Sequence, residues 1–576
     1  MKEGNKQRRP DYIQKQPKAP FVLPDKWYLK ILINLLVTAV VAAGVYYFTL
    51  PVFNFHSMDL YFYIAVVVAV YGAMAWITSR AKNQTEAKPF FERQLSGVIG
   101  VIAVIVVVVV VGGIASSALF RAKSYSKLLD VKSGKFETDI EEVDFSSVPM
   151  LDSESTEKLG DRKLGELEDM ISQFAVDNYY TQINYKNKPV RVTPLKYSDI
   201  IKWFINRQEG LPAYLVIDMA TQEANVVRLK EGMKYSTCEY FNRYLIRHLR
   251  FNYPTYMFDD PVFEIDEKGE PYWICPRIDK KIGLFGGTDV IGTVLVNAVT
   301  GECSYHSVDD VRTKKELQWI DRVFSSNMLV EQYNYLGQYQ NGFWNSVIGQ
   351  RGVKVTTEGY NYLALADDVY LYTGVTSVTD DQSIVGFVLI NQRTKESNYY
   401  SIAGAKEYSA MDSAQGVVQQ FGYKATFPLL LNISGQPTYF MALKDSSSLV
   451  KQYAMVNVEQ YQVVATGNSL AECSQNYADL LREKGISIEV VKPEDIQDPQ
   501  QEELLSVTGA ITEIRTAVMD GNSVYYIRLA DSASYYSVKA SDSEIAVIIN
   551  VGDTVKISYK ASDKGIISAK SVELAQ

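Results

Sequence analysis

Three long apolar runs crowd into the first 120 residues, and a water-soluble core has no use for them in that density. They are Ile31 to Leu50, Leu60 to Thr78 and Leu95 to Phe120. A helix crossing about 30 Å of hydrocarbon needs about 20 apolar residues, which each run supplies. The third contains an unbroken Val, Ile and Ala stretch from Val101 to Val111. Such β-branched residues also suit a buried strand, but the length and the lack of polar breaks fit lipid better. Gly112 and Gly113 are tolerated within a membrane helix. Trp27, Tyr28, Tyr46, Tyr47, Tyr61, Tyr63 and Trp76 fall near the ends, where interfacial aromatics collect. The polar N-terminal region is long and two more runs follow, so the first run reads as a span rather than a cleaved signal peptide. No ionisable residue lies within the three runs, which argues against a transport path.

Sidedness follows from cationic flanks. Lys2, Lys6, Arg8, Arg9, Lys15, Lys18, Lys26 and Lys30 precede the first span, and Arg80, Lys82, Lys88 and Arg93 fill the second loop. The first loop, Pro51 to Asp59, carries no Lys or Arg. The expected topology is therefore a multi-pass cell-membrane protein with a cytoplasmic N-terminus and everything after Phe120 outside. Arg121, Lys123 and Lys127 oppose this weakly. The basic tail reads as a topogenic and headgroup contact.

Charge sharpens the division. Residues 1–120 hold 12 Lys and Arg against 6 acidic residues, a net +6, and taking that from the total of −9 leaves −15 for residues 121–576. An acidic exported portion excludes nucleic acid as a partner, because phosphate binding needs a basic surface.

The exported portion carries an internal repeat. Leu215-Val-Ile-Asp-Met-Ala-Thr-Gln-Glu223, Val294-Leu-Val-Asn-Ala-Val-Thr-Gly-Glu302 and Val388-Leu-Ile-Asn-Gln-Arg-Thr-Lys-Glu396 share three apolar residues, Asp or Asn, then Thr-x-Glu. An apolar strand entering an Asx-type turn accounts for the pattern. A second hairpin, Ile265 to Ile274, parallels Asn432 to Met441, with Asn187 to Val192 as a fainter copy. Helical stretches are expected at 197–207, 238–249, 314–324 and 410–421. Together these predict an α+β membrane protein of six parts. They are a basic tail (1–30), three transmembrane helices (31–120), a stalk with a packing helix (121–181), about four hairpin-plus-helix units (182–490), an acidic linker (491–503) and a small β-barrel (504–576). The barrel strands are expected at 505–515, 524–529, 535–539, 546–549 and 554–559, with a sixth at 566–572.

The repeated hairpins resemble PepSY-like modules, small extracytoplasmic α+β units whose two strands meet at a Thr-Gly-Glu turn; Thr300-Gly301-Glu302 is the closest match. Leu159 to Gly165, Phe263 to Asp266 with Pro271-Tyr-Trp273, and Asn341 to Asn345 are similar to a group of Firmicutes membrane proteins. The PepSY-like resemblance implies a binding role in a Gram-positive envelope, or restraint of an extracytoplasmic peptidase. The turn Gly552-Asp553-Thr554-Val555 is similar to OB-fold proteins. Residues 502–576 hold 7 Lys and Arg and 10 Asp and Glu, so nucleic-acid binding by this barrel is not expected.

Candidate chemistry is sparse. The histidines are His56, His248 and His306, and the cysteines Cys238, Cys275, Cys303 and Cys473 contain no CxxC pair, so neither zinc nor a disulfide framework is indicated. Cys275 and Cys303 sit on neighbouring strands, either bridged or as free thiols. Asp259, Asp260, Glu264, Asp266 and Glu267 lack calcium-loop spacing and read as a solvated strand face and turn. The pairs Asp309-Asp310, Asp367-Asp368 and Asp380-Asp381 read as solvated turns. Gly283 to Asp289 lacks the Gly-Lys-Ser/Thr of a phosphate loop and reads as a hairpin loop. Forty tyrosines against 23 phenylalanines suggest either an aromatic recognition face or half-buried strand positions. No catalytic, cofactor or metal residue is assigned. The expectation is a non-catalytic binding or scaffold protein whose partners are the lipid bilayer and an envelope protein or wall polymer. The alternatives are a peptidase regulator or an envelope hydrolase.

Overall fold

The computed structural model describes residues 26–79, 84–142, 148–365, 367–377, 383–486, 505–519, 522–530, 532, 534–539, 543–559 and 566–574. The tail before Lys26, Arg80, Lys82, Asp380-Asp381, the 491–503 linker and the Asp520-Gly521 turn lie outside them.

Three helices are long and apolar enough to cross a membrane: α1 (Trp27–Thr49), α2 (Met58–Ser79) and α3 (Gln84–Ser116). The apolar part of α3, 26 residues from Phe91 to Ser116, spans about 39 Å at 1.5 Å per residue. Helix α2 packs against both neighbours. The expected run to Phe120 breaks at Ser117, whose extended backbone starts a separate helix, Ala118–Tyr125. The break is capped locally, with Ser116 Oγ donating to Gly112 O at 2.6 Å.

Four antiparallel sheets follow, and all share one strand plan. Each has a long strand: Lys188–Tyr197, Pro271–Ile282, Asp368–Ser377 and Gln436–Lys444. A short strand precedes it and pairs with its beginning: Thr181–Tyr185, Val262–Ile265, Asn361–Leu365 and Leu429–Ile433. Two further strands complete each sheet on the other side, as in Leu211–Asp218 with Ala224–Met233. The long strands of the first, third and fourth units are buried over most of their length because helices and neighbouring units cover both faces.

The repeated turn is built identically in three units. Asp218, Asn297 and Asn391 each accept two backbone N–H groups, from residues i+2 and i+3, at 2.8 to 2.9 Å. The next position is left-handed in every copy: Gln222 φ 61°, Gly301 φ 77° and Lys395 φ 65°. The fourth unit contains a copy that sequence comparison misses. Asn457 accepts from Gln460 N at 2.8 Å, and Val458 N donates to Pro437 O, as Ala298 N does to Pro271 O. Without Thr-x-Glu after Asn457, the match disappears from the sequence.

Several expectations are corrected. The helix expected at 314–324 is a short helix, Val308–Thr313, and a single 3-10 turn, while the long helix of that unit is Ser326–Tyr339. Ser325 stands at its N-terminal cap position, and its buried face includes Met328, Leu329, Gln332 and Tyr333. The strand expected at 546–549 is a 3-10 helix, Glu544–Val547. The stretch read as a stalk is packed instead. Lys132–Gly134 adds in parallel to Ser397–Tyr400, Glu142 bridges to Asn432, and Phe136, Ile140, Val148 and Met150 are buried in the core shared by the third and fourth units. An unprotected sheet edge pairs readily with any extended chain, and here the chain covers its own edges.

After residue 504 five strands pair in a closed circuit: Leu505–Met519, Asn522–Leu529, Tyr535–Lys539, Ile566–Leu574 and Thr554–Tyr559, which returns to the first.

Candidate functional site

The four short strands converge, and a cleft opens where three of them meet. Asn361–Leu365 and Leu429–Ile433 form two walls, and Asn184, Asn187 and Pro189 of the first hairpin form a third. Residues 139–142 and 148–149 cross the floor, held by Asn432 Nδ2 donating to Ile140 O at 2.7 Å and by Ser434 N donating to Glu142 at 3.2 Å. The cleft has a volume of about 430 Å³, within the usual range for a ligand site. Four carboxylates line it, Asp139, Glu141, Glu142 and Asp367, with four asparagines, Asn184, Asn187, Asn398 and Asn432, and two tyrosines, Tyr370 and Tyr400. Among the described lining residues there is no Lys, Arg, His, Cys, Ser or Thr.

The field in this cleft is negative. Burial raises the Asp367 carboxyl above its usual range, and neighbouring Asp368 adds to the rise. Burial pushes the Tyr400 phenol up to about 12. Such a cleft attracts cations and amide donors, and its carboxylates are also groups able to act as nucleophile or as general acid and base.

The acidic cluster around Glu264 behaves differently from the solvated face expected. Glu264 is fully buried and accepts the backbone N–H groups of Asp321 and Arg322, both at 2.9 Å. Asp321, also buried, accepts from Asn184 N at 2.7 Å. Burial pushes the Glu264 carboxyl up to about 7, and burial together with Glu264 raises Asp321 as well. These two acids therefore join the first, second and third units through backbone amides. Neither lines the cleft, so the pair is a structural joint. Asp259 accepts from Ser325 Oγ at 2.7 Å, and Asp266 accepts from Lys268 N and Glu270 N in its hairpin turn. Among the described residues no group of His, Cys, Asp and Glu could hold a metal ion.

Asp368 is likewise not a solvated turn residue. It pairs bidentately with Arg393 at 2.6 and 2.8 Å and accepts from Asn391 Nδ2 at 2.7 Å. Asp310 does stay at a helix end, in a capping box with Ser307. Cys275 and Cys303 flank the strand Gly286–Asn297 on opposite sides and are free thiols, as are Cys238 and Cys473. The tyrosines do not form one face. Tyr214, Tyr372 and Tyr439 are buried in three different sheets, Tyr477 is buried on the helix Leu470–Glu483, and Tyr335 and Tyr339 pack on Tyr125.

Of the loop expected at Gly283 to Asp289 only Gly283 to Phe285 forms the turn, the rest being strand, and this turn meets the helix bundle. Leu284 N and Phe285 N donate to Ser116 Oγ at 2.8 and 3.1 Å, and His56 Nδ1 lies 2.9 Å from Leu284 O. At α1, Arg247 and Arg250 donate to the carbonyls of Tyr47 and Leu50 at 3.2 and 3.0 Å, capping the helix C-terminus. The first loop and the folded body therefore share one end of the bundle. Hydropathy and spacing carry no signal for this seam, since each contact joins residues about 170 to 230 positions apart.

No family model matches this chain, and no curated protein matches it.

Proposed function

We propose that this chain is a membrane-anchored binding or scaffold protein of a Gram-positive cell envelope, with its PepSY-like units and OB-like barrel outside the cytoplasm. The carrying observation is the acidic, asparagine-rich cleft at the junction of three units. It has the size and polarity of a binding site, with carboxylates and amides converging on one space. Four carboxylates disfavour an anionic wall polymer and favour a cationic segment of another envelope protein. The chain's own Glu142 already forms a parallel bridge to Asn432, and Asn432 Nδ2 donates to Ile140 O. That arrangement supports an extended peptide as the bound form. The same feature supports the second reading, restraint of an extracytoplasmic peptidase by occupation of a peptide-shaped groove.

Sidedness rests on the cationic flanks, and the seam supports it by keeping the Lys- and Arg-free first loop beside the body. A photo-crosslinking residue in place of Asn187 or Asn398, in cells, tests both points. The expected product is a covalent adduct to one extracytoplasmic protein that is weakened when Glu141 and Asp367 become Gln and Asn. Adducts confined to cytoplasmic proteins, or adducts indifferent to those two changes, sink the proposal.

A further inference from the structure

Two groups of exposed apolar side chains are tied by short chains of contacts to the ends of α1 and α3. The first is the helix Ile200–Asn206, with Ile200, Ile201, Phe204 and Ile205 each about 60 to 66% exposed, beside Phe241. Its inner side is firmly held. Asp199 caps it by accepting from Ile201 N and Lys202 N, and Trp203 Nε1 donates to buried Glu239 at 2.8 Å. The outward apolar face is therefore presented by a fixed element. Trp203 packs on Tyr240 and Phe241, and Arg247 donates both to Phe241 O at 2.6 Å and to Tyr47 O, two residues before α1 ends.

The second group is the turn Asn345–Gly349 with Trp344. Here Trp344, Val347 and Ile348 are 65, 55 and 74% exposed. A ladder of rings runs from it to α3. Trp344 meets Phe343, Phe343 stacks on Tyr339, and Tyr339 packs on Tyr125, whose hydroxyl donates to Ser116 O at 2.8 Å. Cations rim the first group, with the Arg207 guanidinium 4.6 Å from the Phe204 ring and Lys202 and Arg243 nearby.

Single exposed apolar residues need no explanation, but grouped ones do. Trp, Phe and Ile rimmed by Lys and Arg are what the headgroup and acyl boundary of a bilayer retains. We propose that the folded body is seated in the membrane surface on these two groups, in the leaflet that α1 and α3 leave. The bundle then fixes position while the two contacts fix tilt. This inference rests on α1 to α3 crossing the bilayer and is independent of the acidic cleft.

The test uses the full chain in nanodiscs, with a fluorescent amino acid replacing Phe204, Ile348, Val106 or Ile548 one at a time. Val106 lies in α3, and Ile548 is exposed on the terminal barrel. Lipids brominated in their acyl chains are the quencher. Emission at 204 and 348 is expected to fall about two-fold, toward the loss at 106, while 548 stays bright. Ile201 and Val347 serve as second positions should either variant fold poorly. Quenching at 106 with 204 and 348 as bright as 548 overturns the seating, and quenching at one group alone overturns the two-group form. An unquenched 106 overturns the membrane crossing itself.

Discussion

Asp368 and Arg393 form the clearest ionic contact of the body, since both side chains are nearly buried and the pairing is bidentate. Removing one partner leaves an uncompensated charge in the interior. Asp368→Ala is expected to cost about 3 to 5 kcal/mol, read as a lowered thermal midpoint of the detergent-solubilised protein. Replacing both residues with apolar ones of similar size should recover most of that loss. The repeated turn gives a paired prediction. A non-glycine residue in the left-handed region costs roughly 1 kcal/mol, so Gln222→Gly should raise the midpoint. Lys395→Gly, in the equivalent position, should lower it. The Lys395 ammonium bonds Asp289 at 2.6 Å and Leu128 O at 2.8 Å, and those contacts outweigh the relief of strain. The Asx turn was readable because all its partners lie within three residues. The partners of Asp368 and Lys395 lie far along the chain, and both looked like ordinary surface positions.

At the scale of elements, the hairpin Ile282–Gly286 is the wedge between body and bundle. A side chain at Gly112 would place its Cβ 2.8 Å from Leu284 Cδ2 and 2.9 Å from Phe285 Cε2. Gly112→Leu should therefore lift the hairpin tip from α3. Ser116→Ala should remove the acceptor for two amides without adding bulk. In both variants the amides of Leu284 and Phe285 are expected to exchange with deuterium faster than in the parent, with the sheet amides unchanged. Equal exchange in all three proteins would mean that these contacts do not hold the hairpin. The glycines of this hairpin invited a loop reading, which holds for Gly283 to Phe285 while Gly286 to Asp289 continues the strand. What the loop docks against was invisible, because Ser116 and Gly112 belong to a run whose composition speaks only of lipid.

For the whole molecule, the buried acids Glu264 and Asp321 tie three units together. Burial lifts the Glu264 carboxyl from the ordinary carboxylate range to about 7. The folded chain then binds the proton more tightly than the unfolded chain. Stability from this group is full below the unfolded value near 4.5 and is lost as pH rises through about 7. Glu264→Gln removes the titration. Relative to this variant, the parent should lose about 2 kcal/mol between pH 5 and pH 8, measured as the difference between their denaturation midpoints at each pH. Parallel pH profiles would place the proton elsewhere. The alternation of Glu264 with Phe263 and Ile265 suggested a solvated strand face, which holds for a sheet with one wet side. Packing of the third unit against the second removed the water from that side.

What the sequence alone determined is what short-range chemistry decides. Apolar length makes three helices able to cross a membrane, and an Asx side chain closes the same turn three times. Cationic flanks set an expected sidedness. Tertiary structure decided the rest: which short strands meet at the acidic cleft, which acids lose their water, and how the segment after α3 becomes an edge strand. Each of those depends on residues tens to hundreds of positions apart being brought within hydrogen-bonding distance. A local pattern holds no record of such a meeting, because burial is a property of the neighbour as much as of the residue.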